Sequence, residues 1–232
     1  LRQAGIKVWM LTGDKRETAI NIGYSCGLID EDMGKLVFKD NAKTTLEERK
    51  KYQRDVCLII TGDQLTDNKN VDPKELLELV LSCKSIIACR VSPKQKQEMV
   101  ALLRSNRYTT CAIGDGANDV NMINMAHVGI GIKGVEGAQA AQCSDYAITE
   151  FQMVRELLLY HGRESYRKNS RLILFNFYKN MILVLPQFWF GMTNGFSSAS
   201  MFDPWIYQLY NVVYTSLPII IFAIFDEEYT PR

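Results

Sequence analysis

Through about residue 150, short apolar runs alternate with segments of helical period. "IKVWML" (6–11) leads into a helix predicted from about Lys15 to Cys26, and "KLVF" (35–38) follows. "DVCLII" (55–60), "SIIACRV" (85–91), "TTCAI" (109–113) and "VGIGI" (128–132) read as further strands, with helical patterns near 74–81, 95–106 and 118–125. Strands alternating with helices predict an α/β fold with a parallel sheet covered on both faces. In such sheets ligands gather at the carboxyl ends of the strands. The charged stretch 30–55 reads as a surface connection carrying one solvated helix, whose charges need no function.

Past residue 150 the pattern changes. A basic stretch, "RESYRKNSR" (163–171), precedes an apolar run from Leu172 to Met192, which as a helix is roughly 30 Å long. A second run, Trp205 to Phe225, carries no charge, and "TNGFSSASMFDP" between the two contains no Lys or Arg. By the positive-inside rule the α/β part is cytosolic, the loop 193–204 faces the other side, and "DEEYTPR" returns to the cytosol. Pro186 and Pro218 interrupt the two runs, and each frees a carbonyl that must find a partner in protein or water, which favours a bundle over an isolated hairpin. The expected organisation is a cytosolic domain over 1–150, a linking helix over 151–171, membrane helices over 172–192 and 205–225 joined by 193–204, and a cytosolic tail over 226–232 of a multi-pass membrane protein. The opening "LRQAGIKVWML" has no initiator Met and no targeting peptide, so a piece of a longer protein is expected.

Composition removes other classes. The formal charge is +1 and the basic residues are scattered, so no nucleic-acid partner is expected. The six cysteines all precede the apolar runs and form no CxxC pair, which reads as buried thiols in a reducing compartment.

Candidate chemistry lies where strands end. "LTGDKRETA" sets Thr12, Gly13 and Asp14 between a strand and a helix, where a hydroxyl and backbone amides suit an anionic phosphate. "RVSPKQK" supplies Arg90 and Lys96 after another strand, and Lys96 is placed to balance developing phosphate charge. In "AIGDGANDVNMI" the glycines permit a tight turn that presents Asp115 and Asp119, with Asn118 between them, and hard carboxylate oxygens near a phosphate suit Mg²⁺. The same motif alone is also open to a structural reading, with Asp115 and Asn118 as turn and cap residues. "ITGDQLTD" repeats Thr61-Gly62-Asp63, but a polar tract with Asn68, Asn70 and Pro73 follows it rather than an immediate helix, so this copy reads as a structural turn.

The first apolar run contains Asn176, Lys179 and Asn180 on one helix face. Its eleven Leu, Ile, Val and Phe residues favour insertion by about 5 kcal/mol against about 3 for Lys179, so the span is marginal alone. The second run offers Gln208, Asn211 and Thr215 at helical spacing, and two polar faces meeting would form a hydrophilic seam. Two readings of Lys179 stay open: snorkelling to the cytosolic interface or gluing helices together, and accommodation of the polar part of a cargo.

TGD before a helix, then RVxPxQK, then GDGxNDxxM together resemble the phosphorylation domain of P-type ATPases, of haloacid-dehalogenase type. "GIKGVEGAQAAQCSDYAI", "NFYKN", "NGFS" and "LYNVVYTSLPI" narrow the resemblance to the phospholipid-flippase class. The resemblance implies that Thr12, Gly13, Asp14, Arg90, Lys96, Asn118 and Asp119 contact ATP or the transferred phosphoryl group. It implies that Asp115 and Asp119 associate with Mg²⁺, and that Asn176, Lys179, Asn180 and Asn211 belong to a lipid pathway. Implied partners are a phospholipid, the bilayer and an accessory beta-subunit. The family's nucleophilic Asp, in a DKTGT motif, occurs nowhere in the chain, so the fragment alone is expected not to turn over ATP. Three alternatives remain: a cation pump, which would place carboxylates inside the spans; a membrane-anchored phosphatase; and a non-catalytic truncated membrane protein.

Overall fold

The structure, a computed structural model, describes residues 1–39, 41–67, 72–134 and 138–228. Asn68 and Asn70 of the tract after the second TGD, and tail residues 229–232, lie outside the described residues. The chain divides into two units, Leu1–Phe151 and Gln152–Arg232, each described by itself.

In the first unit a four-stranded parallel sheet has the order β1 (Trp9–Leu11), β4 (Ser85–Cys89), β3 (Val56–Thr61), β2 (Gly34–Val37). A second parallel sheet has the order β5 (Cys111–Gly114), β6 (Val128–Ile132), β7 (Tyr146–Ile148). β3 is apolar along almost its whole length because both its faces are covered. Val56, Leu58 and Ile60 enter a core with α2 (Ala42–Lys51), α4 (Pro73–Ser82) and Met99 of α5 (Pro93–Ser105). Cys57 and Ile59 point the other way, into a core with Ala19 of α1 (Arg16–Ser25), Ile29, Met33 and Ile87. Each large side chain buried there contributes about 1.5–3 kcal/mol. A smaller cluster of Val100, Ala112, Met122 and Ala126 lies under β5, and Leu11 of β1 packs against it.

Three features differ from the sequence reading. The helix in the charged stretch 30–55 is more than solvated: beside the expected strand at 35–38, Ala42, Thr45 and Leu46 of α2 are buried. Asn41 caps that helix by accepting from Thr44 N at 2.9 Å. The second TGD does open a helix at once, α3 (Gly62–Asp67), too short and polar to carry a periodic signal. Of the six cysteines, all free, Cys57, Cys83 and Cys89 are buried, whereas Cys26, Cys111 and Cys143 are exposed.

In the second unit α8 (Met153–Glu156), a π turn over Leu157–His161 and α9 (Gly162–Thr193) run on without leaving helical backbone angles. Helix α9 passes through Pro186. A further helical path comprises α10 (Pro204–Leu209), a π turn over Tyr210–Tyr214 and α11 (Ser216–Phe225). Among the described residues Pro204–Phe225 is the one helical segment long and apolar enough to cross a membrane, by length and composition only. α9 is longer, but Asn176, Lys179, Asn180 and Gln187 dilute its apolar part, so the expected pair of spans is met in helix and only partly in apolarity.

The basic residues before the first apolar run hold the residues that follow the second. Arg163 donates to both carboxylate oxygens of Glu228 at 2.8 and 2.7 Å. Arg167 binds Glu164 and Asp226, Arg171 reaches Asp226 at 3.1 Å, and Lys168 donates to the Ala223 carbonyl at 2.9 Å. The guanidinium of Arg167 holds the Glu164 carboxyl below its usual range, and Arg163 does the same for Glu228. Depressed carboxyl values mean that the clasp is complete above the ordinary Glu pKa of about 4.3 and is lost as pH falls through the lower, folded-state values. The side-chain carboxyl carbons of Glu164 and Glu228, followed by NMR as pH is lowered, should therefore titrate below that value, and Arg167→Gln should move the Glu164 titration upward in pH.

Candidate functional site

The carboxyl ends of β1, β4 and β5 are joined by hydrogen bonds and one ion pair. After β1, Thr12 Oγ1 accepts from Asp14 N at 3.1 Å and donates to Asp14 Oδ2 at 2.9 Å, closing the TGD turn on itself. Two backbone bonds tie that turn to the end of β4: Arg90 N to the Asp14 carbonyl at 3.0 Å and Val91 N to the Thr12 carbonyl at 3.1 Å. Arg90 takes a left-handed backbone conformation, φ 52°, which is uncommon for a side chain other than Gly or Asn. Its side chain is exposed.

Helix α5 starts two residues later with a capping box. Ser92 Oγ accepts from Gln95 N at 3.3 Å and Gln95 Oε1 accepts from Ser92 N at 2.8 Å, with Pro93 at the first helical position. One residue on, Lys96 Nζ donates to Asp119 Oδ1 at 2.8 Å, and the two side chains are 11% and 14% exposed. That pair reaches the end of β5, where Asp119 closes a 3₁₀ turn over Ala117–Asp119 before α6 (Val120–Met125). Gly114 is required there by close approach: a Cβ on it would lie 2.3 Å from the Asp119 Cβ. Gly13, by contrast, faces open space, with nothing within 4 Å of a Cβ placed on it.

Thus Thr12, Gly13, Asp14, Arg90, Lys96 and Asp119 belong to one bonded constellation. Asp115 and Asn118 stand exposed on the same β5 turn, and neither side chain is hydrogen-bonded among the described residues. No group of three or more His, Cys, Asp or Glu is arranged to hold a metal ion among the described residues. The chain offers two carboxylates, Asp115 and Asp119, one of whose oxygens is already engaged by Lys96. Hard oxygen donors suit Mg²⁺, which keeps several waters or phosphate oxygens and needs only one or two carboxylates, so the donor set fits in kind. The roles of Ser92 and Gln95 are not among the sequence expectations, although Ser-Pro-x-Gln ahead of an apolar helix is a legible capping signal, and at Gly114 the close approach of Asp119 adds to the expected tight turn.

In the second unit Asn176 and Lys179 are half-buried, whereas Asn180 and Asn211 are exposed. The helices meet instead around buried Leu183, beside an apolar recess lined by Ile182, Leu183, Phe202, Ile206, Tyr210 and Tyr214. The polar side chains therefore do not zip together across this pair. What crosses is the Tyr210 hydroxyl, donating to the Lys179 carbonyl at 3.0 Å. Asn211 sits in the π turn, where Thr215 N and Thr215 Oγ1 both donate to the Tyr210 carbonyl, at 3.1 and 2.9 Å.

A family model described as "Phospholipid-translocating P-type ATPase C-terminal" matches residues 141–232. Over nearly its whole length the chain is similar to curated proteins. Phospholipid-transporting ATPase C887.12 of Schizosaccharomyces pombe is 44% identical, the match covering 98% of this chain and 19% of that protein. Probable phospholipid-transporting ATPase IM of Homo sapiens is 41% identical over 98% of this chain and 22% of its own length. Phospholipid-transporting ATPase DRS2 of Saccharomyces cerevisiae is 41% identical over 100% of this chain and 18% of its own length. The chain thus spans about one fifth of the length of these relatives. Along nearly its whole length, α/β unit and apolar helices alike, the chain is thus similar to phospholipid-transporting P-type ATPases.

Proposed function

We propose that the chain is the part of an ATP-driven phospholipid flippase that handles the phosphoryl group and forms two of its membrane helices. The longer protein moves lipid from the exoplasmic to the cytosolic leaflet through an aspartyl-phosphate. Residues 1–150 form the carboxyl part of a haloacid-dehalogenase-like phosphorylation domain, 151–171 the link, 172–192 and 205–225 two spans around the exoplasmic loop 193–204, and 226–232 a cytosolic tail. The carrying observation is the convergence of the TGD turn, Arg90, Lys96 and Asp119 through short bonds at the carboxyl ends of β1, β4 and β5. β1 and β5 each pair on one side only among the described residues, and Leu11 of β1 packs against the cluster that includes Ala112 of β5. A strand carrying the acceptor Asp, contributed by the rest of the protein, would satisfy both edges and set its carboxylate beside Thr12, Lys96 and Asp115.

In this site Thr12 Oγ1, backbone amides of the TGD turn and Asn118 hold phosphoryl oxygens. The side chain of Arg90 is positioned to hold the phosphates of ATP, and Lys96 offsets charge that spreads over the equatorial oxygens in the transition state. Asp115 and Asp119 would hold Mg²⁺, which when bound supplies charge neutralisation between phosphates. The helical path Met153–Thr193 carries rearrangement of the phosphorylation domain to the first span. There Asn176, Lys179, Asn180 and Asn211 present polar groups to a passing headgroup while the acyl tails stay in lipid. The partners in this reading are the phospholipid, the bilayer and, as the family implies for many members, an accessory beta-subunit.

In the complete protein Lys96→Ala should slow phosphoenzyme formation from saturating Mg·ATP by about a hundredfold or more, read by acid-quenched incorporation of labelled phosphate. Lys179→Ala should leave that incorporation near normal and depress lipid-stimulated ATP hydrolysis. Equal loss of both steps would assign Lys179 to folding.

A further inference from the structure

The second Thr-Gly-Asp, residues 61–63 at the end of β3, lies one strand from the end of β4. Its glycine is set by space, not by backbone conformation, since Gly62 opens a helix and has no positive φ. A Cβ on Gly62 would stand 2.1 Å from the Arg90 carbonyl oxygen, 3.0 Å from the Arg90 carbonyl carbon and 3.0 Å from Gln95 Oε1. Backbone cannot swing aside as the tip of a flexible side chain can. Any side chain at 62 must push the Arg90 peptide or the Gln95 amide.

Both of those groups already have work. Arg90 is held in its left-handed conformation by its own N–H on the Asp14 carbonyl at 3.0 Å and the next N–H on the Thr12 carbonyl at 3.1 Å. Gln95 joins two helices through one side chain. Its Nε2 donates to the Gly62 carbonyl and to Thr66 Oγ1, both at 2.7 Å, while its Oε1 accepts from Ser92 N at 2.8 Å. The amide thus fastens the start of α3 to the start of α5, one residue before Lys96.

We propose that Gly62 and Gln95 are positioning residues for the nucleotide phosphates, acting through Arg90. The glycine leaves the space in which the strained Arg90 peptide lies, and the glutamine locks that space against the cap of α5. The Arg90 side chain, exposed beyond the strand end, is thereby aimed from a fixed backbone instead of sampling the extended alternatives open to an ordinary residue. The second TGD does not bind phosphate itself. It is the seat on which the binding residue rests.

The proposal rests on the phosphate-site reading above, and the experiment separates the two. In the complete protein, the KM for Mg·ATP and the kcat of lipid-stimulated hydrolysis are measured for Gly62→Ala, Arg90→Ala and the double variant. Loss of uniform substrate binding raises KM and leaves kcat unchanged. Gly62→Ala should raise KM about tenfold to a hundredfold, as a misplaced binding group does. The double variant should be no worse than Arg90→Ala alone, because one residue acts through the other. An unchanged KM in Gly62→Ala, or additive effects in the double variant, overturns the positioning role while the phosphate site stands. An unchanged KM in Arg90→Ala refutes Arg90 as a phosphate ligand and the proposal with it. Should Gly62→Ala fail to fold, Gln95→Glu carries the test. It keeps the acceptor for Ser92 N, loses the donor to the Gly62 carbonyl, and is expected to raise KM with the same non-additivity towards Arg90→Ala. Without a change in KM it overturns the positioning role equally.

Discussion

The ion pair between Lys96 and Asp119 is the contact on which the candidate site depends. The two parallel sheets of the first unit share no strand pairing among the described residues, yet the groups suited to phosphate stand at the ends of β1 and β4 in one and β5 in the other. Lys96 extends from the helix that follows β4 and meets Asp119 beyond β5, with both side chains largely withdrawn from water. Such a pair is a poor source of net stability, because desolvating two charges consumes most of their attraction. Its value is geometric. Neither charge can leave without stranding the other, so the pair fixes the distance between the two strand ends more firmly than the packing of Leu11 against the small cluster under β5 would.

Much of this architecture was legible in the chain, and the parts that were not have identifiable physical causes. β3 and β4 were plain because a strand covered on both faces must be apolar throughout, and Val56 to Ile60 and Ile86 to Cys89 are fully buried. α3, α7 (Gln139–Cys143) and β7 were missed: segments of three to six residues complete too little of a helical or alternating period to stand out. The stretch 30–55 misled through composition. Lys and Glu dominate α2, but Ala42, Thr45 and Leu46 alone suffice to dock it over β2.

The site shows the same division between chemistry and arrangement. Residue types after strands suit phosphate handling, and the expected residues Thr12, Asp14, Arg90, Lys96 and Asp119 do come together at successive strand ends. That Lys96 would meet Asp119 was not in the pattern, because the two are 23 positions apart and only the folded chain brings them together. The second TGD is the clearest case. Its composition duplicates the first, but the first turn faces open space at Gly13 while the second packs Gly62 against backbone, a distinction that belongs to neighbours and not to local sequence.

The two long helical paths of the second unit are governed by what surrounds them. Lys179, Asn180 and Asn211 each weaken insertion, and between these two helices the polar side chains find no partner in one another. The pair instead meets through Leu183, through the Tyr210 hydroxyl on the Lys179 carbonyl and, at the ends, through the Arg163, Arg167 and Arg171 clasp on Asp226 and Glu228. These contacts hold the two helices together without engaging the amine or the amides. In a bilayer, groups left so must turn towards protein, water or a polar cargo, since hydrocarbon offers them nothing. The relatives are about five times the length of this chain, which leaves room for further elements to enclose such groups. The proposed lipid path is then a surface that one side of this pair presents to the rest of the protein, and not a seam closed within the pair itself.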